Sequence, residues 1–222
     1  MNWLMQNVDR IAMLAGRQAA YSLMPIAVGL LLSVPLGRLF NVTGRMRSIL
    51  IALCGALYAI PSLPLLMLLP SLLGTKILSP VNLEVALTIY AVALLAQSCA
   101  NALASVDPEL IDAAAAIGYG RMRRFLDVEL PQAGPVILAG LRVVSASSIS
   151  LITVGSLTGV ESLGSLFLEG YQRDFPLEII TGIIATLAIA LVYDRALVWL
   201  GDLLMPWRRA ERRASTREEN DE

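Results

Sequence analysis

The sequence predicts an all-α membrane protein with about five transmembrane helices. Of its 222 residues, 56% are hydrophobic and 16% are charged, and the mean hydropathy is +0.68. This composition is typical of membrane proteins. Several apolar runs reach the roughly 20 residues that a helix needs to cross a bilayer. The longest polar interruption between these runs covers residues 107–134.

The apolar runs divide the chain into three parts. Residues 1–18 carry apolar side chains along one helical stripe, which favours an amphipathic helix lying in the membrane interface, with a frayed helical terminus as the alternative. Residues 19–205 are expected to form the transmembrane domain. Residues 206–222 form a tail of basic and then mixed charge, and its final residues are expected to be disordered.

Five runs are predicted to span the membrane: Tyr21–Phe40, Ile49–Leu73, Val81–Leu103, Val136–Leu157 and Leu177–Leu200. Pro61, Pro64 and Pro70 should break the second run, which predicts either a bent wall or gate, or a kinked packing helix. Four serines between residues 145 and 150 favour a central position for the fourth run. Arg142 in that run is expected to extend towards the cytoplasmic surface, with substrate contact as the alternative.

The distribution of arginine predicts the orientation of the chain. One side would hold the basic residues Arg38, Arg45, Arg47, Arg121, Arg123, Arg124 and those of the tail, and the other side only Arg10, Arg17, Lys76 and Arg173. Positively charged loops remain in the cytoplasm. Five spans then place the N-terminus outside, and the C-terminus and residues 107–134 inside.

Residues 107–134 predict two short helices joined by a glycine turn. Asp107 is a good N-cap and Pro108 suits the first helical position, so a helix should run from there to Ile117. Gly118 can adopt the left-handed conformation that ends such a helix. A second, amphipathic helix should cover Arg121–Leu130 and end at Pro131. The result is a surface that suits docking to a partner, with an ordinary amphipathic loop as the alternative.

The spacing of this segment resembles the cytoplasmic EAA loop in permease subunits of ATP-binding-cassette importers. The matching positions are Asp112, Ala113, Ala114, Gly118, Val128, Leu130 and Pro131. Asp112 replaces a glutamate of the family pattern, and Val128 replaces an isoleucine. The resemblance implies the type I importer permease fold, and it implies that these residues form a coupling helix seated in a groove of an ATPase subunit.

Three further stretches resemble the osmoprotectant branch of these permeases. They are Ala59–Leu63, Ala86–Ala91 and the turn with Gly159, Leu163 and Gly164, whereas an Arg-Asn pair of that branch is replaced near Gln97. The resemblance implies transport of a compatible solute such as glycine betaine, carnitine or choline. An importer for amino acids or another small solute is the alternative, and a membrane scaffold is the alternative from another class. The candidate gate or pathway residues are Tyr58, Pro61, Ser62, Tyr90 and Ser147.

The residue types limit the chemistry of the chain. It has no histidine, and its only lysine, Lys76, lacks the preceding glycine of a phosphate-binding loop. We therefore expect no catalytic or metal site, and Cys54 and Cys99 are interpreted as buried small hydrophobic residues. The resemblance implies that ATP and Mg²⁺ bind to a separate ATPase. It also implies a second, identical or different permease subunit, an extracytoplasmic solute-binding protein, lipids but no nucleic acid, and a bacterial inner-membrane location.

Overall fold

The structure is a computed structural model that describes residues 2–207, which are almost entirely helical. The α-helices in this part of the chain are α1 (Asn2–Gln6), α2 (Val8–Val42), α3 (Arg47–Ala59), α4 (Ser62–Leu73), α5 (Pro80–Ala104), α6 (Pro108–Ala116), α7 (Arg121–Arg124), α8 (Leu130–Gly155), α9 (Gly164–Gln172) and α10 (Pro176–Leu204). A π-helical turn, Phe125–Glu129, joins α7 to α8. The tail from residue 208 onwards lies outside the described residues.

Four helical segments are long and apolar enough to cross a membrane. They are α2, α5, the continuous segment Arg121–Thr158 that contains α7 and α8, and α10. The pair α3 and α4 can provide a fifth crossing if the two helices count as one broken span. The prediction of an all-α protein with about five spans is therefore confirmed.

Residues 8–18 belong to the first long helix and residues 2–6 form the short helix α1, which corrects the single helix expected at residues 1–18. Helix α2 continues unbroken through 35 residues, or about 52 Å, whereas the hydrocarbon core of a bilayer is about 30 Å thick. Part of α2 therefore extends beyond that core at any ordinary tilt. Ile11 and Ala15 of the predicted apolar stripe, together with Leu14, pack against Leu163 and Leu166 of the same protein, whereas Val8 is exposed.

The second span is broken at one place only. Helices α3 and α4 are bent by 95° relative to each other, and the break lies at Ile60 and Pro61, whose backbones are extended. The expected breaks at Pro64 and Pro70 are wrong, since both residues lie within α4. Pro64 is in the first turn of α4, where a missing N–H costs little. The expected break at Pro61 is confirmed.

Helix α5 forms the centre of the bundle. In its most apolar stretch 56% of the residues are buried, and the segment that contains the serine-rich α8 follows with 39%. Helix α8 packs against α2, α5 and α10, so it also lies within the bundle, as expected. Small residues allow α2 to approach α5 closely: a Cβ added at Gly37 would lie 2.6 Å from the Cβ of Cys99, and one at Gly29 would lie 2.8 Å from that of Ala91. Close approach of backbones through small residues is a common way to pack membrane helices.

A polar network joins α2, α9 and α10 at the end of the bundle opposite α6. Glu178 is fully buried and accepts hydrogen bonds of 2.9 and 3.0 Å from Arg173. Arg10 of α2 lies 3.8 Å from Glu178, and Glu169 pairs with both arginines. The sequence did not predict α9, and this network fixes α9 between the two long helices.

Candidate functional site

The first helix of the predicted docking segment forms as the sequence indicates. The carboxylate of Asp107 accepts a hydrogen bond of 2.9 Å from the Glu109 N–H, and Pro108 occupies the first turn of α6. Gly118 has a φ of +90°. The N–H groups of Gly118 and Tyr119 bond to the carbonyls of the two alanines at 115 and 114, each at 3.0 Å. This pair of bonds is a Schellman motif, in which the left-handed position favours glycine.

The seven residues of the docking pattern do not all face outwards. Asp112, Ala113 and Gly118 are exposed, whereas Ala114 is 5% exposed and points into the bundle. The remaining three, Val128, Leu130 and Pro131, are partly buried. Apolar side chains are uncovered around the exposed residues, namely Leu110, Ile117, Met122 and Leu126. The exposed part of α6 and the turn after it therefore forms a surface with apolar and acidic character.

The second helix of this segment differs from the prediction. It was expected to end at Pro131, but Pro131 lies in the first turn of α8, and the chain remains helical from Arg121 to Gly155. The π-helical turn explains this, because the Leu130 N–H bonds to the carbonyl of Phe125 five residues earlier. That wider turn replaces the ordinary hydrogen-bond ladder next to the proline, which lacks an N–H.

Arg38 fastens the docking segment to the end of α2. Its guanidinium lies 3.9 Å from the ring centroid of the buried Phe125 and donates a 3.0 Å hydrogen bond to the carbonyl of Arg121. Cation–π contacts of this kind add to the stability of a packed arginine. The sequence marked Arg38 only as a basic residue, since nothing in the local pattern indicates a partner more than 80 positions away.

Three of the five candidate pathway residues come together. Tyr58, Tyr90 and Ser147 line one small cavity between α3, α5 and α8. The two tyrosine rings meet edge to face, with centroids 5.9 Å apart and planes at 85°. The Tyr90 hydroxyl donates a 2.8 Å hydrogen bond to the Ile60 carbonyl, at the break between α3 and α4.

The other two candidates, Pro61 and Ser62, lie at the α3–α4 break and do not line this cavity.

Arg142 is paired with Asp194 of α10, whereas its sequence context suggested extension to the surface or contact with substrate. The two N–H···O distances are 2.5 and 3.0 Å. Sequence reasoning missed Asp194, because only the fold places it opposite Arg142. The pair links α8 to α10, since charged side chains in membrane helices usually pair with one another.

Long apolar helices around a central α5, with a broken helix pair and a capped helix at residues 108–116, form a bundle of the kind that spans a membrane. Residues 25–205 match the family described as "Binding-protein-dependent transport system inner membrane component". The chain belongs to this family, and it is a multi-pass membrane protein that serves as the permease subunit of an ATP-binding-cassette importer.

The curated relatives are permeases from several bacteria. The chain is 41% identical over 105 residues to the osmoprotectant import permease protein OsmY of Salmonella typhimurium. This alignment covers 47% of this chain and 44% of that protein. It is 30% identical over 176 residues to the choline transport system permease protein OpuBB of Bacillus subtilis, with coverage of 79% and 80%. It is 29% identical over 185 residues to the carnitine transport permease protein OpuCB of Listeria monocytogenes, with coverage of 83% and 84%.

Solved structures confirm the type I importer permease fold. An inward-facing structure of the MetNI methionine ABC transporter has a TM-score of 0.72 at 22% identity, covering 93% of this chain and 98% of that one. An amino acid ABC transporter solved with histidines has a TM-score of 0.69 at 17% identity, with coverage of 91% and 96%. At these identities the likeness concerns the fold alone.

Proposed function

We propose that this permease forms the translocation path for a compatible solute such as glycine betaine, carnitine or choline. The observation that carries the proposal is the agreement among relatives whose names specify osmoprotectant, choline or carnitine transport. The alignments with the choline and carnitine permeases extend over most of both chains. This substrate class is therefore favoured over amino acids, for which the likeness is one of fold.

The cavity between Tyr58, Tyr90 and Ser147 supplies the proposed pathway with suitable chemistry. Aromatic rings attract quaternary ammonium groups, and a serine hydroxyl can bond to a carboxylate or hydroxyl of the solute. The cavity is small in this structure, so passage of a solute requires the helices around it to separate. The Tyr90 bond to the Ile60 carbonyl connects that movement to the α3–α4 break, which is the proposed gate.

The exposed surface of α6 and its following turn is the proposed contact with an ATPase subunit, which would bind ATP and Mg²⁺. Arg121, Arg123 and Arg124 lie directly beyond this turn, which favours a cytoplasmic position by the positive-inside rule. Met205, just after α10, packs against Gly134 near the start of α8. The C-terminus would then lie in the cytoplasm as well. A second permease subunit and an extracytoplasmic solute-binding protein complete the proposed importer.

Uptake by cells that express the whole system tests the substrate. We expect accumulation of labelled glycine betaine, carnitine or choline, with mutual competition among the three and no competition by ordinary amino acids. Uptake that only amino acids compete for would refute the proposed substrate and leave the family assignment intact.

Single cysteines test the ATPase contact and the orientation, because both native cysteines are buried. Ala113→Cys on the exposed side of α6 should cross-link to the ATPase and should be protected from membrane-impermeant thiol reagents in whole cells. Tyr171→Cys is the matched control, since Tyr171 is 80% exposed on α9 at the opposite end. It should react from outside and should not cross-link. The reverse pattern would overturn the orientation.

A further inference from the structure

Four arginines converge on an open cavity at the α6 end of the bundle. The cavity has a volume of about 670 Å³ and lies between the ends of α2, α3, α5, α6 and α7. Its charged lining residues are Arg38, Arg47, Arg121, Arg124 and Glu129. The four arginines and the one glutamate give the lining a formal charge of +3.

Most of this positive charge has no acidic partner within the part of the chain that the structure describes. Arg124 is the exception, with a 3.2 Å ion pair to Glu129. Arg47 is held by two neutral amides, at 2.8 Å from the Asn41 oxygen and 2.9 Å from the Asn101 oxygen. Arg38 is held by a carbonyl and an aromatic ring. These contacts fix the guanidinium groups in place without neutralising them, which is the arrangement that binds a phosphate or another anion.

Uncovered apolar side chains lie directly beside the arginines. Val42 lines the cavity itself and is 76% exposed, and Leu39, Met46 and Ile49 on the neighbouring turns are each more than half exposed. These residues lie where two membrane helices, α2 and α3, end and begin. A ligand with a phosphate group and hydrocarbon chains would match both the basic cavity and its apolar margin.

We propose that this cavity binds the headgroup of an anionic phospholipid such as phosphatidylglycerol. The phosphate would lie among Arg38, Arg47 and Arg121, and the acyl chains would run along the exposed apolar residues of α2 and α3. Basic pockets between transmembrane helices commonly bind anionic headgroups in this way. Free phosphate offers the same charged group, but it leaves the apolar margin uncovered.

Native mass spectrometry of the complete importer complex, purified in detergent and titrated with phosphatidylglycerol, tests the proposal. Wild type should retain one phosphatidylglycerol molecule in preference to phosphatidylcholine, which carries no net charge. Arg38→Gln with Arg47→Gln should weaken binding by about 30-fold, which corresponds to about 2 kcal/mol for two arginines. The matched control, Arg123→Gln with Arg195→Gln, removes the same charge from residues that do not line the cavity and should leave binding unchanged.

Loss of Arg47 could weaken lipid binding indirectly, by loosening the packing of its amide partners Asn41 and Asn101. A further variant excludes this explanation. Arg121→Gln changes an exposed side chain and should weaken phosphatidylglycerol binding by about fivefold. Equal binding by wild type and all cavity variants would overturn the proposal, as would equal retention of phosphatidylcholine. Displacement of the lipid by about 50 mM inorganic phosphate, but not by sodium chloride of equal ionic strength, would exclude charge screening as the cause. It would show that the site takes free anions, and it would overturn the lipid assignment.

Discussion

Replacing Gly118 by alanine tests whether the turn after α6 is needed for docking to the ATPase. The matched control is Gly120→Ala, two residues further along the same turn. An added Cβ meets no atom within 4 Å at either position, but φ is +90° at Gly118 and −65° at Gly120. Any difference between the two variants therefore reports backbone conformation rather than a steric clash.

The expected magnitude follows from that conformation. An L-residue in the left-handed region costs about 1–2 kcal/mol, so Gly118→Ala should weaken the Schellman turn by that amount. If the ATPase binds only the left-handed conformation of the turn, the free energy of binding weakens by the same amount. The apparent affinity should then fall by about 5-fold to 30-fold. Gly120 has an ordinary extended backbone and is the N-cap of α7, so alanine there should cost only the difference between the two residues as N-caps, about 0.5 kcal/mol, and should lower the affinity about twofold.

Binding of the purified ATPase to immobilised permease in lipid nanodiscs measures both affinities directly. Thermal unfolding of each variant serves as the control for folding, since the strained turn is local and exposed and should leave the bundle intact. Equal losses in the two variants would refute the argument from φ. Unchanged binding in both would refute the assignment of this turn to the ATPase contact.

Three further predictions concern packing and the break in the second span. Gly37→Ala should lower the midpoint of thermal unfolding by about 5 °C, because overpacking against α5 costs ~1–3 kcal/mol. Gly16→Ala on the same helix should not lower the midpoint, because an added Cβ there meets nothing within 4 Å. Equal unfolding midpoints for the two variants would contradict this reasoning. Tyr90→Phe removes the bond to the Ile60 carbonyl and should increase hydrogen exchange at the α3–α4 break about fivefold, or by ~1 kcal/mol; unchanged exchange would show that the bond does not hold the break. Glu178→Gln removes the fully buried acid from two arginines and should destabilise the protein by about 1–3 kcal/mol, which an unaltered unfolding midpoint would disprove.

The sequence by itself determined the class of protein, the approximate spans, and the first helix of the docking segment with the turn that ends it. Apolar length predicts membrane helices, and the caps at Asp107 and Gly118 act through bonds to residues within five positions. The break at Pro61 is local in the same sense, because proline disfavours helix at the residue before it. Each of these signals acts over a few residues, and a sequence pattern can therefore identify it.

Only the tertiary structure decided where distant parts of the chain meet. In the N-terminal part of α2, Ile11, Leu14 and Ala15 pack against Leu163 and Leu166, and Ala114 is buried on the side of α6 that faces the bundle. The pairing of Arg142 with Asp194, 52 residues away, and the meeting of Tyr58 with Tyr90 also depend on how the helices pack. Helix packing is set by side chains from several elements at once, so no local pattern in the sequence contains it.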